Sequence, residues 1–286
     1  MTSAAARLEA ALQTHRAQLR RGNLLLGGAF LLAFLAALPA GGFSLAKLIE
    51  GWPEILSYLG AILPEIRHDH VVEDVGEWYW GFWRYLRLMA DTVLMAYAGT
   101  LLGLIGALLL VFPASNMLGR SRTLRFLSRR TLEFARSVPE LVFALIFVVA
   151  FGVGPLAGVL AIALHSAGAL GKLFAEASDN LDTRPLDGVT ATGASWFGVI
   201  RLGVMPQVLA NWASYTLFRF EINIRSAAVL GFVGAGGIGQ ELYTSIRSFA
   251  YTDVSAVLLV IVAAVMLVDL ASQALRRRFL DDEVIG

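Results

Sequence analysis

The sequence predicts an all-α polytopic membrane protein with six transmembrane helices. Three observations carry that expectation. Hydrophobic residues make up 57% of the 286-residue chain and charged residues 16%, against about 25% charged in an ordinary soluble domain. Six apolar runs reach or approach the roughly 20 residues that a bilayer core of about 30 Å requires. Basic residues gather in alternate connections between those runs. The absence of cysteine excludes a disulfide framework, thiolate metal ligation and a cysteine nucleophile. A net charge of +1 gives no electrostatic footprint for nucleic acid.

The first run, 24–40, carries no charge and follows Arg16, Arg20 and Arg21. It exceeds the roughly 7–15 apolar residues of a secretory leader, and no A-x-A pattern follows, so a retained helix is expected. Residues 1–23 read as a cytoplasmic segment, and 24–87 as the first helix with an outer stretch. Within that stretch 43–66 is amphipathic, and Pro53 should break it. Trp78, Tyr79, Trp80, Phe82, Trp83 and Tyr85 crowd together before the second helix. Rings with a polar tip suit the headgroup layer, so this cluster reads as an anchor in membrane lipid. His68 and His70 are too isolated a pair to suggest a metal site.

The core, 88–280, supplies five more runs: 88–112, 138–154, 155–174, 207–231 and 254–272. Most hold one or two polar charges, such as Asp91, Glu140, His165, Lys172 and Asp269. With the N-terminus inside, the inner connections carry sixteen Lys and Arg and the outer ones five. Arg120, Arg122, Arg125, Arg129 and Arg130 dominate that bias, which places both termini in the cytoplasm.

Two motifs resemble nucleotide sites without meeting their requirements. Gly234, Gly236 and Gly239 satisfy G-x-G-x-x-G, but the run follows an apolar helix rather than a strand. Glycines there, with Gly237, suit a hinge or re-entry at the outer end of a pore helix. The stretch 168–173 has the Gly-Lys end of a P-loop but lacks its first glycine and the following Ser or Thr. The chain does not bind ATP by that route and is expected to bind no cofactor itself, so any ATP-driven function, with its ATP and Mg, needs a partner subunit. No Ser/His/Asp set or carboxylate pair points to an enzyme.

The run 207–231 is unusual because Arg219, Glu221, Asn223 and Arg225 lie inside it. Each charge at a helix centre costs about 2.5–3.5 kcal/mol on insertion scales. Arg219 and Asn223 share one face at i,i+4, and Glu221 and Arg225 share another, about 200° away. Glu before Arg is the favourable order for an ion pair. That pair reads as structural, whereas Arg219 with Asn223 offers a donor set for an oxyanion in a substrate pathway. Glu140 reads as a polar interface contact or a gate, and His165 as a packing residue or a ligand site.

The loop between the fourth and fifth runs should hold a short helix around 187–192, a break at Gly193 and Ala194, and a second helix ending at Pro206. It resembles the E-A-A-x3-G-x9-I-x-L-P signature of ATP-binding-cassette importer permeases. Asp187 takes the Glu place, Gly188 and Val189 the Ala places, and Gly193 and Pro206 match. Residues 135–142, 165–174 and 219–240 are similar to the phosphonate-type permeases. The resemblance implies a type I importer permease fold like that of the methionine importer. It further implies a dimer with a second copy or paralogue and two cytoplasmic ATPases. The segment with Asp187, Gly188, Thr190, Gly193, Ala194 and Pro206 would seat a coupling helix on one of those ATPases. An extracytoplasmic phosphonate-binding protein would deliver the cargo to the outer face of the permease in the inner membrane. An importer of another small solute and an ion-coupled secondary transporter stay open as alternatives.

Overall fold

The computed structural model describes residues 2–119 and 121–285, and the side chains of 15–16, 19–119 and 121–277. Arg120 and Arg278 of the basic clusters lie outside the residues whose side chains are described. The chain forms two compact units, 1–60 and 61–286.

The first unit contains α1 (Thr2–Ala40) and most of α2 (Leu45–Ile62). Leu19–Ala40 of α1 is long and apolar enough to cross a bilayer, and its apolar side chains are exposed. Pro53 lies inside α2 and does not break it. Pro53 is the ninth of the 18 residues of α2, so the helix runs past it without a backbone N–H bond to the Ile49 carbonyl.

The second unit is a helical bundle. It comprises α3 (Val71–Trp78), α4 (Phe82–Ala114), α5 (Arg122–Ser137), α6 (Glu140–Phe151) and α7 (Pro155–Asp179). It continues through α8 (Thr183–Ala191), α9 (Trp196–Val199), α10 (Met205–Leu230), α11 (Ile238–Arg247) and α12 (Tyr251–Ile285). Phe82–Ala114, Pro155–Asp179 and Tyr251–Arg277 each qualify as a span. Two bent pairs qualify only together: α5 with α6, at 88°, and Trp196–Val233 with α11, at 45°. The described residues thus hold four spans, or six if each bent pair is one, and neither bent pair is the straight helix expected.

The third span is the main correction. The apolar run 138–154 yields only the 12-residue α6, about 18 Å long and too short to cross alone. It qualifies only together with α5, across the 88° bend, as a broken span or a re-entrant loop; the sequence places α5, with its arginines, in a cytoplasmic connection. The break follows from Pro139, which holds Val138 in extended conformation (φ −77°, ψ 125°). α5 runs antiparallel to α7: Leu132 meets Gly171, Arg136 meets Gly168, and Val138, just past its end, meets His165.

The fifth span differs in two ways. Pro206 does not end a helix; it sits in the first turn of α10. The preceding Ile200–Val204 is a π turn, with the Met205 N–H donating to Ile200. Widening the coil there removes the demand that Pro206 cannot meet. At the other end a 3₁₀ turn, Gly231–Val233, leads to Gly234, Gly236 and Gly237 with φ of 89°, 81° and 74°. The chain steps sideways there and α11 restarts beside the last turn of α10. A Cβ on Gly231 would lie 2.5–2.7 Å from backbone atoms of Gly239 and Gln240.

α4 and α7 pack parallel through small residues, with Gly99 against Ile162 and Gly103 against Ser166 and the Ala163 carbonyl. Two apolar clusters fill the bundle. One holds Tyr85, Met89, Phe143, Ile162, Ile224, Leu230 and Val257. The other holds Val111, Leu132, Leu170, Phe174, Val208 and Trp212, with Phe174 and Trp212 stacked at 4.6 Å. On α4, α7 and α10 alike, the gap between the clusters is polar.

Candidate functional site: a polar layer at a helix break

That gap contains Thr100 of α4, Ser166 of α7, and Arg219 and Asn223 of α10. The Ser166 hydroxyl oxygen accepts from Arg219 Nε at 3.1 Å and from Asn223 Nδ2 at 2.9 Å. Asn223 Nδ2 also donates to Thr100 Oγ1 at 2.8 Å, and Thr100 donates to the Ala96 carbonyl at 2.6 Å. Asn223 is 0% exposed. Its predicted place beside Arg219 in a pathway is therefore revised: it ties three helices together from inside.

The break between α5 and α6 opens onto this layer. Glu140, the first residue of α6, brings Oε2 to 3.7 Å from Arg219 Nη2. Neither of those two atoms has a hydrogen-bond partner, although both are buried. The contact is an ion pair too long to be a hydrogen bond. His165 donates through Nδ1 to the Val138 carbonyl at 3.0 Å. In the neutral ring that leaves Nε2 as an acceptor.

On the opposite face of α10, Glu221 is buried and accepts from Arg225 Nη2 at 2.7 Å and from Arg276 of α12 at 3.4 Å. The predicted i,i+4 pair thus forms, with a third member supplied by α12. Arg225 keeps half of its side chain exposed. It lines an open cleft of about 440 Å³ together with Pro139, Glu140, His165, Ser226 and Val229.

The cytoplasmic loop is set by local caps. Asp182 accepts from Arg184 N–H at the start of α8, Gly193 takes φ 79° just past its end, and Ser195 caps α9. Leu186 is the buried residue of α8 and packs on Gly203. Asp187, Gly188, Thr190, Gly193 and Pro206 are exposed, and Ala194 is half-buried. Beside them Phe197 is 76% exposed.

Sequence reasoning missed the anchor of this end. Asp179, the last residue of α7, accepts from Ser115 Oγ and Asn116 N–H at 2.7 Å, Asn116 Nδ2 at 2.9 Å and Arg129 Nη2 at 2.9 Å. It thereby closes the C-terminus of α4 and holds α5. A single aspartate at the end of an apolar run was the available signal.

The other end is held by the aromatic cluster. Trp78 Nε1 donates to Ser255 Oγ at 3.0 Å, Trp80 Nε1 to Asp253 at 2.9 Å, and Arg84 pairs with Glu241 at 2.6 Å. Asp74 forms a buried-edge clasp with Arg67 at 2.6 Å. That guanidinium holds the Asp74 carboxyl below the usual carboxylate range.

Residues 99–281 match a family described as binding-protein-dependent transport system inner membrane component. The chain is 38% identical over 250 residues to the phosphite transport system permease protein PtxC of Stutzerimonas stutzeri, covering 87% of this chain and 86% of that one. It is 36% identical over 234 residues to the phosphate-import permease protein PhnE of Mycolicibacterium smegmatis, covering 82% of this chain and 42% of that one. Among solved structures, the inward-facing methionine ABC transporter MetNI aligns with a TM-score of 0.60 at 20% identity, over 69% of this chain and 97% of that one. A bacterial ABC transporter that imports alginate aligns at 0.58 and 14% identity, over 90% and 96%. At those identities the likeness is one of fold.

Proposed function

The chain belongs to the family of binding-protein-dependent transport system inner membrane components, and from that premise we propose that it is the permease subunit of an ATP-driven importer of phosphonate, phosphite or a related phosphorus oxyanion. The observation that carries the cargo is the 38% identity with a phosphite permease along 87% of the chain. The chain is a transport subunit of the inner membrane and not an enzyme. It works with an ATPase and a binding protein.

The finer assignments are part of the same proposal. Two permease chains, identical or paralogous, pair with two cytoplasmic ATPases that bind ATP and Mg. Both termini lie on the cytoplasmic side. The exposed face of α8, with Asp187, Gly188 and Thr190, docks the ATPase, and the Gly193–Ala194 break and Pro206 set its angle. Support comes from the buried Leu186 beneath it, which seats α8 on the π turn that leads into α10. A shift of α8 then has a short covalent route to Arg219 and Arg225. The oxyanion passes along the layer those arginines line, with Glu221 and Asn223 as supports. The glycines at 234, 236, 237 and 239 supply a hinge beyond it.

The test is reconstitution. Proteoliposomes holding this chain with its ATPase, plus the binding protein outside and ATP inside, should accumulate labelled phosphite. Methylphosphonate should compete and methionine should not. ATP-dependent uptake of another solute, with none of any phosphorus oxyanion, would refute the cargo.

A further inference from the structure

The pathway contains two candidate guanidinium groups, and their surroundings separate them. Arg219 has a side chain 13% exposed, gives Nε to Ser166, and does not line the open cleft. Between it and the cleft stands Glu140, which does line it. Arg225 lines the same cleft, keeps half of its side chain exposed, and is steadied from behind by Glu221. Ser226 adds a hydroxyl and His165 an imidazole.

A carboxylate in the wall of an anion-binding cleft is an electrostatic conflict. An oxyanion beside Glu140 meets a like charge unless that charge is neutralised, and interactions in a partly desolvated site are strong. Arg219, 3.7 Å behind Glu140, is placed to do this. The unbonded Nη2 and Oε2 atoms fit a pair held by charge rather than by a directed hydrogen bond.

We propose that Arg225 is the group that binds the phosphorus oxyanion in the cleft it shares with His165 and Ser226, and that Arg219 is a positioning residue that acts through Glu140. The inference rests on the importer reading above. Arg225 supplies the charge-assisted donors that such an anion takes. Arg219 keeps the Glu140 wall neutral and in place. The weak, exposed site that results lets the anion leave, which a fully buried arginine pair would hinder.

The cysteine-free chain supplies its own probe. Ser226→Cys places one thiol in the cleft of the assembled permease–ATPase complex, in nanodiscs and without binding protein. Its labelling by an anionic and by a cationic methanethiosulfonate reagent is followed by mass, with and without inorganic phosphite. The ratio of the two rates reads the local charge, and phosphite should slow both. Adding Arg225→Ala should abolish phosphite protection and lower the anionic-to-cationic ratio. Adding Arg219→Ala should weaken protection on the order of tenfold, the scale of one uncompensated charge. Adding Glu140→Gln to Arg219→Ala should restore protection to within about twofold.

An Arg219→Ala/Glu140→Gln background as unprotected as Arg219→Ala would overturn the proposal, because Arg219 would then touch the anion itself. Protection that survives Arg225→Ala, or is missing from the Ser226→Cys parent, would overturn it as well. The cationic rate guards against misfolding, since a collapsed cleft slows both reagents without phosphite. Uptake by proteoliposomes of the unsubstituted chain decides the importer reading separately. Uptake without cleft protection rejects this inference alone, and no oxyanion uptake at all rejects the reading beneath it.

Discussion

Gly168→Ala tests whether the broken third span positions the polar layer. A Cβ built on Gly168 would lie 2.5 Å from Arg136 N, 2.7 Å from the Leu132 carbonyl oxygen and 2.9 Å from Ala135 C. All three are backbone atoms of α5 and cannot rotate aside. Ordinary contact starts near 3.4 Å, so α5 must retreat from α7 by about 0.5–1 Å. Overpacking of that size costs about 1–3 kcal/mol. Val138 moves with α5, and its 3.0 Å bond to His165 stretches out of range. Glu140 follows, and the 3.7 Å approach to Arg219 opens. Gly76→Ala is the control. It lies in α3 with nothing within 4 Å of an added Cβ, so only the helix preference for alanine, about 1 kcal/mol, should register. The assay is thermal unfolding of the purified complex in one detergent, paired with oxyanion uptake. Gly168→Ala should melt below wild type and transport poorly, and Gly76→Ala should melt at or above it. Equal melting of the two variants would refute the tight α5–α7 crossing.

Three further outcomes follow from contacts elsewhere. Asp179→Asn keeps the shape of its side chain but loses the charge that five donors share; a loss of about 2–3 kcal/mol in unfolding free energy is expected, and a change under about 0.5 kcal/mol would dismiss Asp179 as an anchor. Leu186→Ala removes the buried contact of α8 with Gly203 and should cost about 2 kcal/mol locally; ATPase stimulation by loaded binding protein should fall while the complex stays assembled on a sizing column, and full stimulation would count against α8 as the coupling element. The carboxyl of Asp74 is held low by Arg67, so its contribution is present above the ordinary carboxylate pKa of about 3.9 and fades as pH falls through the lower folded value. The gap in melting temperature between wild type and Asp74→Asn should therefore narrow as pH falls below about 3.9, and a gap that does not narrow at all in that range would remove the clasp from the acid response.

Long uncharged runs were readable because the bilayer imposes both length and polarity on a helix. Hence α4, α7 and α12 were expected close to where they lie. α5 was not expected as an ordered helix against α7, because its arginines fit a loop by the positive-inside count. Its buried side, Ser128, Leu132 and Ala135, is spaced for a helix that packs on a neighbour. Pro139 was visible, but as the edge of a span rather than its middle. Pro206 was read as a stop because a proline inside a helix usually costs a hydrogen bond; the π turn that relieves it has no sequence pattern of its own. The i,i+4 spacing sorted Arg219 with Asn223 and Glu221 with Arg225. Spacing within one helix, however, cannot say which neighbour each face meets. Thr100 and Ser166 looked like ordinary small residues of apolar runs. They claim Asn223 only because α4 and α7 pack parallel with glycine between them.

The same arrangement explains how five charged groups coexist inside the bundle. Separately, each would cost about 2.5–3.5 kcal/mol. Here Glu221 takes Arg225 and Arg276, and Arg219 takes Glu140. Three guanidinium groups against two carboxylates leave one positive charge in excess, and the exposed member of the set is Arg225. Glu140 cannot readily swing to offset it. As the first residue of α6 it sits where the helix dipole favours a carboxylate, and the backbone of that turn is closed by the Val142 N–H bond to Pro139 at 3.0 Å. The break at 138–139 therefore does two things at once. It carries an acid to the depth of Arg219 and fixes it there, so the uncompensated charge faces the cleft through Arg225.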